Sequence, residues 1–342
     1  MSRFLQAARH QPVDVTPVWL MRQAGRSLPE YRKLRERWSL VEIVAQPELC
    51  AEVTLQPVHR LGVDAAVMFA DIVLPLSGMG VDFELVENVG PVIARPIASA
   101  ADVERLTVPP GEAAAPQVIT AVRQVVAQSP VPVIGFCGAP FTLASYLIEG
   151  RPSRDFAKAK AFMYSEPAAF DSLLAKLAAT MAGYLLAQIE AGVSAVQLFD
   201  SWVGALAVED YDARVLPHTR SIFEALKSAG VPRIHFGTGT AGLLESIGAS
   251  GPDIVSVDWR VPLDAAWERV GHARGIQGNL DPAVLLGPPE VVRERARDVL
   301  RRAAGRPGHI FNLGHGVLPS TPLENLQLLI ETVHEWKVAR VA

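Results

Sequence analysis

The sequence predicts an α/β protein of short parallel strands alternating with helices, arranged as a closed (β/α)₈ barrel or as an open doubly wound sheet. Three observations predict it. Short apolar runs recur at 15–21, 65–69, 131–136, 195–199, 233–236, 254–257, 275–277 and 309–313, most of them bounded by Gly, Pro or Asp. Each is followed by a segment of helix length, and continuous apolar runs between helices suit parallel strands buried on both faces. No low-complexity stretch or linker divides the 342 residues, so 1–342 reads as one domain.

The elements follow in order. The run 15–21 ends in Arg22-Gln23-Ala24-Gly25-Arg26, so a buried strand delivers two guanidinium groups around a glycine. The charged stretch 28–37 reads as a solvated helix. Pro47, Pro167 and Pro282 stand where first helical turns begin, because a proline there loses no hydrogen bond. The segment 81–96 reads as a hairpin, polar over 84–89 and apolar over 91–94. The Ala- and Pro-rich 98–117 reads as a surface connection. Over 168–190, Phe170, Leu173, Leu174, Leu177, Met181, Tyr184 and Leu185 recur at helical spacing, and Gly192 stops the helix. Gly305 similarly ends an arginine-rich helix over 290–304. Thr321-Pro322-Leu323-Glu324 has the form of a capping box. Gly237-Thr238-Gly239-Thr240-Ala241-Gly242 fits G-x-G-x-x-G but comes too late in the chain for a dinucleotide fold, and there is no Walker sequence.

Composition narrows the function. A net charge of −4 argues against non-specific nucleic-acid binding, which needs a basic face. Two cysteines, Cys50 and Cys137, read as reduced thiols in an intracellular protein, with no second ligand at metal spacing. The first ten residues lack a secretory signal. The most hydrophobic stretch, 61–81, is interrupted by Asp64, Asp71 and Pro75, so a soluble, cytoplasmic protein without a membrane partner is expected.

In a barrel the chemistry collects at the C-terminal ends of the strands. Arg22 and Arg26 follow the first strand, and a planar guanidinium fork suits a carboxylate ligand. Asp71 stands between Val67-Met68-Phe69-Ala70 and Ile72-Val73-Leu74-Pro75, where a carboxylate is costly unless hydrogen-bonded. It reads either as a turn cap or as an acceptor for a ligand that becomes cationic. Tyr146 reads as a core tyrosine or a ligand contact. Asp200-Ser201 reads as a site or merely an N-cap. His315 lies between two glycines that let backbone approach a ligand. Gly-x-Ser-x-Gly is absent.

Five segments carry a family resemblance. They are Pro17-Val18-Trp19-Leu20-Met21-Arg22-Gln23-Ala24-Gly25-Arg26, Phe69-Ala70-Asp71-Ile72, the run 135–146, Leu198-Phe199-Asp200-Ser201-Trp202, and Phe311-Asn312-Leu313-Gly314-His315-Gly316. In that order they resemble the uroporphyrinogen decarboxylase family over essentially the whole chain. One departure is Ser27, where the family usually has an aromatic. The resemblance implies a barrel, decarboxylation of the four acetate side chains of uroporphyrinogen III to give coproporphyrinogen III, and no cofactor or metal. It implies substrate contacts from Arg22, Gln23, Ala24, Gly25, Arg26, Asp71, Tyr146, Ser201 and His315. Asp71 would stabilise a cationic pyrrole and Arg22 would assist proton delivery. It also implies a homodimer.

Two rivals come from other classes. A corrinoid-dependent zinc methyltransferase of the same fold needs a thiolate site, but His235-Phe236-Gly237 has glycine where the thiolate should be. A non-catalytic tetrapyrrole carrier would use the arginines and aromatics for binding alone.

Overall fold

The computed structural model describes residues 2–25, 27–87 and 89–337. Strands β1 (Ala66–Val67), β2 (Phe83–Val86), β3 (Gly90–Ile93), β4 (Val133–Gly138), β5 (Ala195–Asp200), β6 (Arg233–Gly237), β7 (Ile254–Ser256), β8 (Gly275–Leu280) and β9 (His309–Leu313) follow one another along the chain. Seven of them form one parallel sheet in the order β1-β4-β5-β6-β7-β8-β9, while β2 and β3 form the separate antiparallel hairpin. The apolar runs therefore paired as their patterning requires, in sequence order, with every residue of β4, β8 and β9 buried.

The first apolar run closes the ring. Val18 bridges Phe311 in parallel, and the Phe311 N–H donates to the Pro17 carbonyl at 2.8 Å. On its other side the Val18 carbonyl accepts the Asp64 N–H at 2.8 Å. Pro17 has no N–H to give, which helps to keep this strand to a single bridge. Inside the barrel runs a buried polar chain. The Trp19 Nε1–H donates to Gln277 Oε1, and Gln277 Nε2 donates to Gln197 Oε1 and Ser256 Oγ, each at 2.9 Å. Buried polar groups satisfied in this way avoid the desolvation cost of unpaired ones.

Below the barrel, Asp64 ties three elements together. It accepts Arg3 Nη1 at 3.1 Å, the Val18 N–H at 2.8 Å, and lies 2.8 Å from His334 Nε2. The long helix Pro167–Glu190 buries the seven apolar residues expected of it and is followed by Gly192 at φ 107°. By length and composition it could cross a membrane, but 61% of its apolar window is buried against the rest of the molecule.

One local expectation gains detail and another needs correction. Residues 98–117 are mostly exposed, as a surface connection should be, but they carry structure of their own. Ser99 caps the helix Ala100–Glu104, and Gly111 packs so closely on Gly183 of the long helix that a Cβ would enter its backbone. Lys176 Nζ then holds the carbonyls of Val103, Glu104 and Leu106. The capping box expected at Thr321 does not form. Its N–H is used in a turn to Leu318, Pro322 becomes the N-cap of Leu323–Glu335, and the Thr321 hydroxyl is buried without a partner among the described residues.

Candidate active site

The C-terminal ends of the strands bring distant residues to one mouth. Met21 is locked first: its N–H donates to Asn312 Oδ1 at 3.0 Å and its carbonyl accepts the Val317 N–H at 2.8 Å. Arg22 follows in the left-handed region at φ 60°, which turns the exposed side chain away from the strand. Its stem lies over Gly316. A Cβ there would come within 2.7 Å of Arg22 Cγ, so the glycine next to His315 makes room for the arginine.

The rest of the first motif divides by role. Gln23 is buried, and its amide is spent on the loop: Oε1 accepts the Leu20 N–H and Nε2 donates to the Ala65 carbonyl, both at 2.9 Å. It therefore shapes the turn through both ends of its amide. Ala24 is half-buried against the core and Gly25 is buried. Arg26 lies outside the described residues. Ser27 is buried, and its hydroxyl has no partner among the described residues, as befits a position suited to a larger apolar group.

Asp71 follows β1. Oδ1 accepts the Val73 N–H at 3.1 Å, so one oxygen caps the turn before the 3₁₀ helix Leu74–Met79. Oδ2 accepts no protein hydrogen bond among the described residues. Burial raises the carboxyl above its ordinary range, opposed by the Val73 N–H and by the Arg22 charge. The cap reading and the acceptor reading are thus compatible, one for each oxygen.

Tyr146 belongs to the helix Pro140–Glu149 after β4, and its ring meets Trp202 at 4.0 Å between centroids. Phe156 extends this wall, 4.9 Å from Trp202. Burial raises the Tyr146 phenol, with the Asp71 charge adding to it and Arg22 opposing. Ser201 follows β5 directly, and the Thr238 hydroxyl donates to its carbonyl. Beneath it, the Thr142 hydroxyl donates to buried Asp200 at 2.7 Å and accepts the Trp202 N–H at 3.3 Å. One hydroxyl therefore ties Tyr146's helix to Trp202's loop.

His315 follows β9. Its Nδ1 accepts the Gly316 N–H at 2.7 Å, which puts the proton of the neutral ring on Nε2. Burial lowers it to about 4, and the positive charges of Arg22 and Arg260 push the same way, against Asp258. Arg22, Asp71, Tyr146 and His315 thus share one electrostatic environment. Sequence reasoning missed Trp202, Phe156 and Arg260 as parts of this mouth. The signal for Arg260 was available: Asp258-Trp259-Arg260 follows a strand, as the other site residues do.

The zinc rival gains nothing from the geometry. His235 is buried between Ser250, 3.2 Å from Nδ1, and the ring of Phe223. Among the described residues, no group of three His, Cys, Asp or Glu stands at metal-binding spacing.

Comparison with known proteins agrees with the motifs. The family profile described as uroporphyrinogen decarboxylase matches residues 1–336. A protein named uroporphyrinogen decarboxylase from Streptomyces coelicolor is 55% identical over 97% of this chain and 94% of its own length. One of the same name from Thermus thermophilus is 54% identical over 97% of each chain. Among solved structures, a methyltransferase from Methanosarcina mazei superposes with a TM-score of 0.82 over 97% of each chain at 21% identity, a likeness of fold.

Proposed function

We propose how this chain, which belongs to the uroporphyrinogen decarboxylase family, uses its mouth. The chain is a carboxy-lyase that decarboxylates uroporphyrinogen in tetrapyrrole biosynthesis. In this reading the mouth converts the four acetates of uroporphyrinogen III to methyl groups, giving coproporphyrinogen III.

The electrons left by departing carbon dioxide need a sink. The substrate's own pyrrole supplies it once a ring carbon is protonated. The bond to the carboxyl group then breaks and its electron pair neutralises the cationic ring; protonation of the resulting exocyclic methylene forms the methyl group, and loss of the first proton from the ring carbon restores the neutral pyrrole. The observation that carries this reading is Asp71: one oxygen capping Val73, the other without a protein donor, in a setting that disfavours its charge. Pyrrole N–H groups supply the missing donors, and a cationic ring supplies the missing charge. The carboxylate is therefore better satisfied in the intermediate than in the free site, which is the differential stabilisation catalysis requires.

Arg22 holds an acidic side chain or a water that delivers the proton, since a guanidinium itself is a poor acid. His315 donates from Nε2 to a carboxylate. Tyr146 and Ser201 complete the rim, with Trp202 backing Tyr146, and Arg26 joins Arg22 as a carboxylate contact. The reaction draws on no metal or organic cofactor. A cytoplasmic homodimer with a single barrel domain per chain accompanies this reading on the strength of the family.

The test is turnover. Anaerobic incubation with uroporphyrinogen after dialysis against a chelator is expected to release carbon dioxide at an undiminished rate. Loss of activity restored by zinc would overturn the cofactor-free reading, and tight binding without turnover would favour a carrier.

A further inference from the structure

The loop after β7 carries a side chain that the first-strand motif does not account for. Asp258 is buried and accepts three hydrogen bonds. Oδ2 takes the Gly239 N–H at 2.6 Å and Arg260 Nη1 at 2.5 Å, and Oδ1 takes the Arg260 N–H at 2.9 Å. Asn279, from β8, supports the loop from below by donating to the carbonyls of Asp258 and Val261 at 2.9 and 2.7 Å. Gly314 presses against the other side, where a Cβ would come within 3.0 Å of Asp258 Cα.

On this supported loop the Arg260 guanidinium stacks over Trp259 at 4.3 Å, a cation–π arrangement that leaves its edge free. The side chain stays 50% exposed, and only Nη1 is engaged by a side chain. The neighbouring loop carries His315, whose Nε2–H also has no protein acceptor among the described residues. Arg22 flanks that histidine through its packing on Gly316. A fixed arginine with unused donors beside an imidazole N–H matches the planar, multi-oxygen shape of a carboxylate.

We infer that Arg260, seated on Asp258 and Trp259, is a further substrate-binding residue that shares with His315 an anion subsite for an acidic side chain of the tetrapyrrole. This inference rests on the proposed function for its substrate, though not for its chemistry. Asp258 has a defined part: it fixes the guanidinium through Nη1 and leaves Nε and Nη2 to the ligand.

Arg260→Gln and Arg260→Lys test it, each with two measurements. The first is steady-state turnover of uroporphyrinogen, with KM and kcat separated. The second is binding of benzene-1,3,5-tricarboxylate, followed on the His315 ring resonances. Arg260→Gln is expected to raise KM by about tenfold, the scale of one charge-assisted hydrogen bond, with the smaller change in kcat. It should weaken the tricarboxylate by a similar factor. Arg260→Lys keeps the charge but not the fork and is expected to fall between Gln and wild type.

An unchanged KM and unchanged tricarboxylate affinity in Arg260→Gln would overturn the subsite. So would a lowered Tm with wild-type KM, which would make Arg260 only a clasp for its loop. Should Arg260→Gln not fold, wild-type KM in Arg260→Lys would overturn it equally. The two readings separate cleanly. Wild-type protein that binds the tricarboxylate without decarboxylating uroporphyrinogen would refute the proposed function alone, and normal turnover with an indifferent Arg260 would refute the subsite alone.

Discussion

Asp71→Asn is the perturbation that most sharply separates chemistry from architecture. The substitution keeps size and one acceptor oxygen, so the cap to the Val73 N–H at 3.1 Å survives with Oδ1. It removes the negative charge and places an NH₂ where pyrrole donors are expected. A preorganised group aimed at developing charge is worth about 10²–10³ in kcat, or about 2.7–4 kcal/mol. The loss should fall on kcat measured with uroporphyrinogen. Stability should move the other way. Burial raises the folded carboxyl above its unfolded value, so ionisation of Asp71 costs the folded state free energy once pH rises through that raised value. At neutral pH the asparagine variant should therefore melt at or above wild type. The difference should shrink as pH falls and Asp71 takes up its proton. If Asp71 served only as a turn cap, the variant would melt lower and turn over normally. A folded Asp71→Asn enzyme with near wild-type kcat would refute the role assigned to this carboxylate.

Other predictions follow from the same geometry. Arg22→Ala should lower kcat/KM at least about tenfold, and Gly316→Ala should do the same indirectly by displacing the Arg22 stem, whereas exposed Arg37→Ala serves as a near-neutral control in the same assay. Thr142→Val removes the hydroxyl that joins Asp200 to the Trp202 N–H; KM should rise, and Thr142→Ser should restore it, while equal KM in both would dismiss this link. Buried His309 is lowered to about 4, so its contribution to stability is complete above its unfolded value near 6.5 and is lost between there and about 4. His309→Gln should flatten the fall of Tm across that window, and an unchanged pH profile would count against it.

Much of this was legible in the sequence because short apolar runs between helices have few ways to pair. The eight runs became the barrel wall, and Arg22, Asp71, Ser201 and His315 each follow one of them, as the strand-end rule requires. What escaped reading depended on contacts between loops. Trp202 joins the site by stacking on Tyr146, a contact that its place in the motif does not announce, and Arg260 follows a strand end but gains its setting only by leaning on Trp259. Gln23 adds a structural part that the motif does not reveal: its amide is turned inward to hold the backbone. In 98–117, Ser99 and Asp102 were a readable cap, since Asp102 Oδ2 accepts the Ala98 N–H at 2.9 Å, but alanine and proline obscured it. Thr321 failed as a cap because a turn had already claimed its backbone.

Closure of the ring by its first strand has a consequence for biogenesis. Val18 bridges Phe311, Met21 is held by Asn312 and Val317, and Arg22 is seated on Gly316. The earliest part of the site to be synthesised is thus moulded by the latest. A nascent chain carries its motif arginine long before anything exists to aim it. Bringing such distant segments together carries a loop-closure cost, and contacts of this sequence separation slow folding. A chain interrupted before β9 would lack more than His315. It would leave 15–21 as an unpaired apolar edge and Arg22 without a direction, exposed to the aggregation that unpaired strands invite.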